Sequence, residues 1–157
     1  RNLTTLQAAR YRRMEGLMTG ANALDGGNRE RTQALLWLRL TGDQLIMKQM
    51  GTGIYAGLPW FNDYWGRDTF ISITGLLFTM GRYDEAAEVF TSFAALQDTN
   101  PASKTFGRVP NRARPDGVEY NSADGTPRFF DHLGRFGDAQ WRSCLGDALM
   151  ACGAGRY

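Results

Sequence analysis

Residues 68–80 form a segment that is apolar on nearly every side of a helix. Its large apolar side chains are Phe70, Ile71, Ile73, Leu76, Leu77, Phe78 and Met80. A helix of this kind has to be enclosed by other structure on most sides. Gly81 follows directly and predicts a helix end, because glycine readily takes the left-handed conformation found there. The segment therefore predicts a buried helix within a core built from several elements.

Residues 85–97 predict a second helix with a different pattern, apolar on one side and polar on the other. The apolar side carries Ala86, Val89, Phe90, Phe93 and Leu96, and the polar side carries Glu85, Glu88 and Gln97. Asp84 is a good N-cap, and only two residues separate it from Gly81. The two segments thus predict a helical hairpin with one enclosed and one peripheral member. Repeated hairpins of this type build a two-layered α/α barrel or toroid, so an all-α fold is expected.

The rest of the chain supplies further helices and two irregular stretches. The other helical segments are predicted at residues 3–19, 29–41, 122–134 and 138–152. Residues 44–57 contain two short apolar runs around Gly51 and Gly53, which is compatible with a short β-hairpin. Residues 98–120 contain three prolines and are expected to form a long loop, a type of loop that is usually functional.

Composition excludes several kinds of partner and site. The net charge of +2 is too small to imply binding to nucleic acid or to an anionic membrane, and no apolar run is long enough to span a bilayer. Cys144 and Cys152 are eight residues apart, about 12 Å on a straight helix, so free thiols are expected rather than a disulfide. His132 is the only histidine. No metal site and no cofactor are therefore predicted.

Aromatic and charged residues are concentrated between positions 59 and 69. The cluster contains Trp60, Phe61, Trp65, Arg67 and Asp68. One interpretation is structural: Asp68 caps the first turn of the following helix and Arg67 pairs with it. In the other, the Arg–Asp pair binds vicinal sugar hydroxyls and the aromatic side chains offer apolar faces to a sugar ring.

A second group of polar residues lies between positions 111 and 124. Its members are Asn111, Arg112, Glu119, Tyr120, Asn121, Ser122 and Asp124. Asn121 or Ser122 can cap the next helix, which would place Asp124 in its first turn. Alternatively, Glu119 or Asp124 can be the general acid of a glycoside hydrolase, which protonates the leaving oxygen. Spacing alone does not choose between these two carboxyl groups.

Several motifs occur in an order and at a spacing that resemble one known family. They are Gly-Leu-Pro-Trp-Phe at 57–61, Trp-Gly-Arg-Asp-Thr-Phe-Ile at 65–71, Gly-Arg-Tyr at 81–83, Val-Pro-Asn-Arg at 109–112 and Tyr-Asn-Ser-Ala-Asp at 120–124. Over roughly residues 30–130 the chain resembles the C-terminal domain family of the amylo-α-1,6-glucosidases, or glycogen debranching enzymes. The set of motifs is specific, although no single motif is.

The resemblance implies an (α/α)6 toroid, of which residues 1–157 would form one incomplete domain from the N-terminal part. It implies inverting hydrolysis of single α-1,6-linked glucose stubs on trimmed glycogen, in the cytoplasm, with an α-glucan as the partner. By position, Arg67 and Asp68 correspond to the pair that grips the terminal glucose. Asp124 corresponds to the general acid, which a similar acidic residue in trehalases supports over Glu119. The other residues expected to bind substrate are Trp60, Phe61, Trp65, Asn111, Arg112, Tyr120 and Asn121.

Two departures from the family pattern bear on activity. Asp124 is followed by Gly-Thr-Pro-Arg instead of the usual apolar and aromatic continuation, and a proline is acceptable early in a helix. The family's catalytic base is a Glu far downstream without a counterpart here, so glucosidase activity is expected of the intact parent and not of this chain alone. The competing hypotheses are a non-catalytic carbohydrate-binding or structural helical module and another α/α-toroid glycosidase of the glucoamylase or trehalase type.

Overall fold

The computed structural model describes residues 2–22 and 28–138. The chain divides into two compact units, residues 1–45 and residues 46–157, and each is described by itself. The helix predicted at 138–152, with Cys144 and Cys152, lies outside the described residues except for residue 138. Within the described ranges, no helix combines the length and apolar character needed to cross a membrane.

The first unit is a pair of helices, α1 (Leu3–Asn22) and α2 (Arg29–Gln44). These confirm the helices predicted at 3–19 and 29–41. Asn28 caps α2 by accepting a hydrogen bond from the backbone N–H of Arg31 at 3.0 Å. The two helices are joined by Arg13 on α1, whose Nε lies 2.8 and 2.9 Å from the two carboxylate oxygens of Asp43 on α2. The Asp43 side chain is only 3% exposed, and a carboxylate buried to that degree needs a paired positive charge such as that of Arg13.

The second unit contains a five-stranded antiparallel sheet. Its strands are β1 (Ile46–Lys48), β2 (Thr52–Gly57), β3 (Phe61–Trp65), β4 (Arg112–Arg114) and β5 (Gly117–Glu119), in chain order across the sheet. The prediction of an all-α fold and of a partial (α/α)6 toroid is therefore wrong, because the unit mixes a sheet with helices. The hairpin expected within 44–57 is confirmed as β1 and β2.

Two local patterns explain why the all-α prediction failed. The segment 61–65 has a mixed aromatic and polar sequence that indicated a binding cluster, yet its alternation is also that of a strand with two different faces. The segment 98–120 was predicted to be a loop throughout. Its Arg-Pro-Asp-Gly run at 114–117 is a turn signal that joins β4 to β5 as a tight hairpin.

Tyr64 on β3 anchors the sheet to the turn between β1 and β2. Its side chain is 1% exposed, and its hydroxyl lies 2.8 Å from the carbonyl oxygen of Met47 and accepts a hydrogen bond from the backbone N–H of Gln49 at 2.8 Å. Burial raises the pKa of the Tyr64 hydroxyl above its ordinary value. Gly53 leaves room for the ring, since a Cβ there would lie 2.6 Å from three ring carbons of Tyr64.

The predicted helical hairpin is present as α3 (Gly66–Leu76), a 3₁₀ turn (Phe78–Met80) and α4 (Tyr83–Ala94). Gly81 ends the first arm in the left-handed conformation, at φ 66°, as predicted. The expected burial is confirmed for one side of α3. Its other side is open in this chain, where Ile71 is 53% exposed, so the apolar pattern over 68–80 overstated how fully the helix is enclosed.

Aromatic side chains from three helices form the core of this unit. The helix at 125–138, here called α5, contributes Phe129, which meets Phe70 of α3 edge-on at 5.3 Å between ring centroids. Phe70 also packs against Phe93 of α4 at 5.0 Å and stacks on Phe90 at 5.9 Å. Such geometry is typical of stabilising aromatic pairs. It fixes the beginnings of α3 and α5 relative to each other.

Candidate functional site

One face of strands β3, β4 and β5 carries a continuous row of charged and aromatic side chains. Trp65 is paired in register with Arg112, and Arg112 is paired with Glu119, so all three side chains point to the same face. Asp63 joins them because it lies two residues before Trp65 on β3. The opposite face carries Tyr64 and its neighbours in the core. Strand pairing therefore separates the candidate site from the core.

Arg112 lies at the centre of this row. Its Nε and Nη2 donate to Oδ2 of Asp63 at 2.8 and 2.6 Å, and its Nη1 lies 3.5 Å from Oε1 of Glu119. The guanidinium carbon is 4.9 Å from the centre of the Trp65 ring, within the range of a cation–π contact. The hydrogen bond to Asp63 is the main reason that the pKa of Arg112 is raised.

Asn111 joins the sheet to the start of α3. Its carbonyl oxygen accepts from the backbone N–H of Gly66 at 2.7 Å, and its side-chain Oδ1 lies 3.4 Å from the backbone nitrogen of Arg67. Its Nδ2 donates to Oδ1 of Asn121 at 3.1 Å. Asn111 is 6% exposed, so in this structure it acts as part of the scaffold. A Cβ on Gly66 would lie 2.6 Å from the carbonyl oxygen of Pro110, which explains the glycine at this junction.

The structure brings Arg67 and Asp124 together from two different helices. Arg67 lies in the first turn of α3, and Asp124 directly precedes α5 and accepts a backbone hydrogen bond from Arg128 at 3.0 Å. The Nε of Arg67 is 3.5 Å from Oδ1 of Asp124, and the two side chains are 53% and 41% exposed. The two motifs that the sequence singled out therefore meet at an accessible ion pair.

The pKa of Asp124 is lowered from 3.8 to about 2. The largest cause is the hydrogen bond donated by the hydroxyl of Ser122 to Oδ1 of Asp124. Next comes Arg128, one turn along α5, whose Nε lies 3.0 Å from Oδ2, and the charge of Arg67 adds to the effect. All three stabilise the charged form. In this state Asp124 is a carboxylate at neutral pH and has no proton to donate.

A surface depression of about 390 Å³ lies beside this ion pair, lined by Ala56, Phe61, Trp65, Arg67 and Asp68. It combines two aromatic side chains with one positive and one negative group. The carboxylate of Asp68 is exposed and forms no hydrogen bond or ion pair with any described residue. Apolar walls with a few convergent polar groups are typical of small-molecule sites.

The remaining predicted residues lie in three different settings. Trp60, in the turn between β2 and β3, is 83% exposed and does not line the depression. Tyr120 donates its hydroxyl hydrogen to the carbonyl oxygen of Leu96 at 2.8 Å and so ties the loop to the end of α4. Asn121 donates through Nδ2 to Oε2 of Glu119 at 2.9 Å and so contacts the charged row of β3, β4 and β5 without lining the depression.

Two residues that contribute to the site were missed from the sequence, Asp63 and Arg128. For each of them, the spacing to a residue already singled out could have predicted the contact. Asp63 lies two residues from Trp65, which puts both side chains on one face of a strand. Arg128 lies four residues after Asp124, the spacing at which an acidic and a basic side chain meet on a helix.

Fold and site together define a protein of helices and an antiparallel sheet that has a surface depression with aromatic and charged lining beside an ion pair. The family model described as "Amylo-alpha-1,6-glucosidase" matches residues 40–136, so the chain belongs to that family. The glycogen debranching enzyme of Saccharomyces cerevisiae (strain ATCC 204508 / S288c) is 40% identical over 70 residues, a match that covers 36% of this chain and 5% of the yeast protein. The resemblance drawn from the motifs is thereby confirmed. No solved structure matches the chain.

Proposed function

We propose that this chain is part of an α-1,6-glucosidase and that the depression beside Arg67 holds a terminal glucose unit of an α-glucan. The observation that carries the proposal is the position of Arg67, which both lines the depression and lies 3.5 Å from Asp124. A sugar held by Arg67 would lie next to the carboxyl group expected to act on its glycosidic oxygen. Family membership supports the choice of an α-glucan.

The lining of the depression suits a sugar in two ways. Phe61 and Trp65 provide aromatic surface for the apolar face of a pyranose ring. Arg67 supplies hydrogen-bond donors, and Asp68 supplies acceptors that are not used by any described residue. Neighbouring sugar hydroxyls each need a donor and an acceptor, and hydrogen bonds to charged groups are the stronger ones. Trp60, exposed on the adjacent turn, is proposed to contact the glucan chain further out.

Asp124 is the proposed general acid of an inverting reaction. An acid has to be protonated, so glucan binding must raise its pKa from about 2. Two effects of binding act in that direction: sugar hydroxyls compete for Arg67, and the glucan excludes water from a side chain that is 41% exposed. The second carboxylate of the mechanism is, by the family resemblance, a Glu from another part of the parent, and we assign it to no residue described here. In glycogen breakdown the parent would act in the cytoplasm.

A second candidate function, glucan binding without hydrolysis, is favoured by the low pKa of Asp124. In that case the carboxylate stays charged and accepts hydrogen bonds from sugar hydroxyls. The two candidates make different predictions for Asp124→Asn in the parent. An acid contributes about 10²–10⁴-fold to the rate, so glucose release from a phosphorylase-limit dextrin should fall by that factor if Asp124 is the acid. An Asp124→Asn parent with full activity would contradict the assignment.

The binding proposal is testable on the 157-residue chain itself by isothermal titration with the limit dextrin and with isomaltose. We expect both to bind and Arg67→Ala to weaken binding about 10- to 100-fold, the usual effect of losing hydrogen bonds to a charged group. Arg135→Ala is the matched control, because Arg135 is an exposed arginine of α5 whose Nε pairs with Asp131 at 3.0 Å. Unchanged affinity in Arg67→Ala, or no binding of either glucan, would contradict the proposal.

A further inference from the structure

Trp65 lines the depression, and no hydrogen bond from its indole nitrogen to a described residue fixes the orientation of its ring. The indole N–H is buried and has no hydrogen-bond partner among the described residues. The ring does contact a charged group: Arg112, its partner across strands β3 and β4, has its guanidinium carbon 4.9 Å from the ring centre. A cation–π contact fixes which face of the ring meets the cation.

Arg112 is itself held from two sides. Asp63 accepts two of its hydrogen bonds through one oxygen, and Glu119 is close to a third donor. The Arg112 side chain is 27% exposed. Because most of its donors and one of its faces are already occupied, Arg112 has little left to offer a sugar. The rigid fork of the guanidinium group allows it to bind Asp63 and stack on Trp65 at the same time, which a lysine cannot reproduce fully.

We infer that Arg112 is a positioning residue: held by Asp63 and Glu119, it fixes the Trp65 ring as the wall on which the glucan stacks, and it does not contact the glucan. The inference rests on the proposed function for Trp65 and revises the expectation that Arg112 binds substrate directly. The acidic residues on either side also keep the positive charge in place. Trp65 then meets the sugar with an orientation that is fixed before binding.

The first test measures limit-dextrin affinity of the full chain by titration calorimetry. Arg112→Met should weaken binding about 3- to 30-fold, the range expected for loss of a cation–π contact. Arg112→Lys should recover part of that loss, because the lysine ammonium group can still make the cation–π contact with Trp65 but lacks the planar donors that the guanidinium group offers to Asp63. Arg135→Met is the matched control: Arg135 is an exposed arginine of α5 that pairs with Asp131 and not with Asp63 or Glu119, so the variant should bind like the unsubstituted chain. An Arg112→Met protein that binds normally would overturn the inference.

A double-mutant cycle separates positioning from direct contact. Trp65→Leu keeps apolar bulk but has no aromatic face, and we expect it to weaken binding. Adding Arg112→Met to Trp65→Leu should then cause no further loss, whereas additive losses would show that Arg112 contacts the glucan and would overturn the inference. Asp63→Asn provides a second route if Arg112→Met fails to fold, since it loosens Arg112 without removing it and should also weaken binding. Normal binding by Asp63→Asn would count against the inference.

The outcomes distinguish this inference from the proposed function. No glucan binding by the unsubstituted chain, or normal binding by Trp65→Leu, would overturn both. Binding that is lost in Trp65→Leu and unchanged in Arg112→Met would overturn the positioning role alone.

Discussion

Replacing Arg128 by methionine should raise the pKa of Asp124. The Nε of Arg128 donates to Oδ2 of Asp124 at 3.0 Å, and this is the second-largest reason that the pKa of Asp124 falls from 3.8 to about 2. Methionine keeps an unbranched side chain with similar helix propensity but removes the charge and the hydrogen-bond donors. The hydrogen bond from Ser122 and the charge of Arg67 remain. The pKa in the variant should therefore lie between about 2 and 3.8.

The direction of the shift fixes its effect on stability. Because folding lowers the pKa of Asp124, the charged carboxylate stabilises the folded state above pH 3.8, and that contribution is lost as the pH falls toward about 2. Arg128→Met should reduce this contribution, so its stability should depend less on pH within the same window. Each unit of increase in the pKa also raises the protonated fraction at neutral pH about tenfold, which brings Asp124 nearer to the state that a general acid requires.

The assay is a pH titration of carboxyl ¹³C chemical shifts in protein labelled at aspartate. Arg135→Met is the control, because Arg135 and Asp131 repeat the same spacing and the same 3.0 Å Nε–Oδ2 distance further along α5. The control should leave the Asp124 titration where it is in the unsubstituted chain. An Asp124 pKa that is the same in Arg128→Met and in the unsubstituted chain would refute the role given to this ion pair.

Three further predictions concern stability, each measured by urea unfolding. Gly66→Ala should destabilise the chain by about 1–3 kcal/mol, because its Cβ would lie 2.6 Å from the carbonyl oxygen of Pro110. Gly75→Ala should stabilise α3 by about 0.5–1 kcal/mol, because its Cβ would meet nothing within 4 Å outside its own helix backbone and chain neighbours; equal effects of the two substitutions would contradict the close approach at Gly66. Tyr64→Phe should cost about 1–3 kcal/mol, since buried backbone groups lose their hydroxyl partner, and a neutral result would show that these groups are satisfied in another way. Phe93→Ala should cost about 3–5 kcal/mol, because Phe93 is 1% exposed within the aromatic core; a loss below 1 kcal/mol would mean that the core repacks.

The positions of the binding motifs could be predicted, but their roles only in part. The sequence brought Arg67 and Asp124 forward as residues of one site, and in the structure they form an ion pair. It did not distinguish the residues that line the depression from those that do not. Asn111 and Arg112 are next to each other in a motif that suggested sugar contacts, yet one is buried and the other is bound by two acidic side chains. The burial of a side chain depends on which other elements pack over it, and the spacing of residues within a motif carries no information about that packing.

The features that the sequence determined by itself depend either on residues close together in the chain or on several motifs that occur in order. Helix positions follow from the period of apolar residues, the end of the first arm of the hairpin follows from Gly81, and family membership follows from several motifs in order. Each of these signals is carried by residues near one another in the chain or by their simple succession. These signals therefore predict the same helices and the same family whichever elements of the fold pack against each other.

The tertiary structure decided the class of fold and the arrangement of the site. Strand β3 pairs with β4, which brings Asp63 to Arg112 across 49 positions of sequence. Short strands of three to five residues carry too little periodicity to be recognised alone, and they form only when a distant partner satisfies their backbone hydrogen bonds. The pKa of Asp124 depends likewise on Arg67, which arrives from another helix. Long-range pairing therefore decided what the local pattern left open.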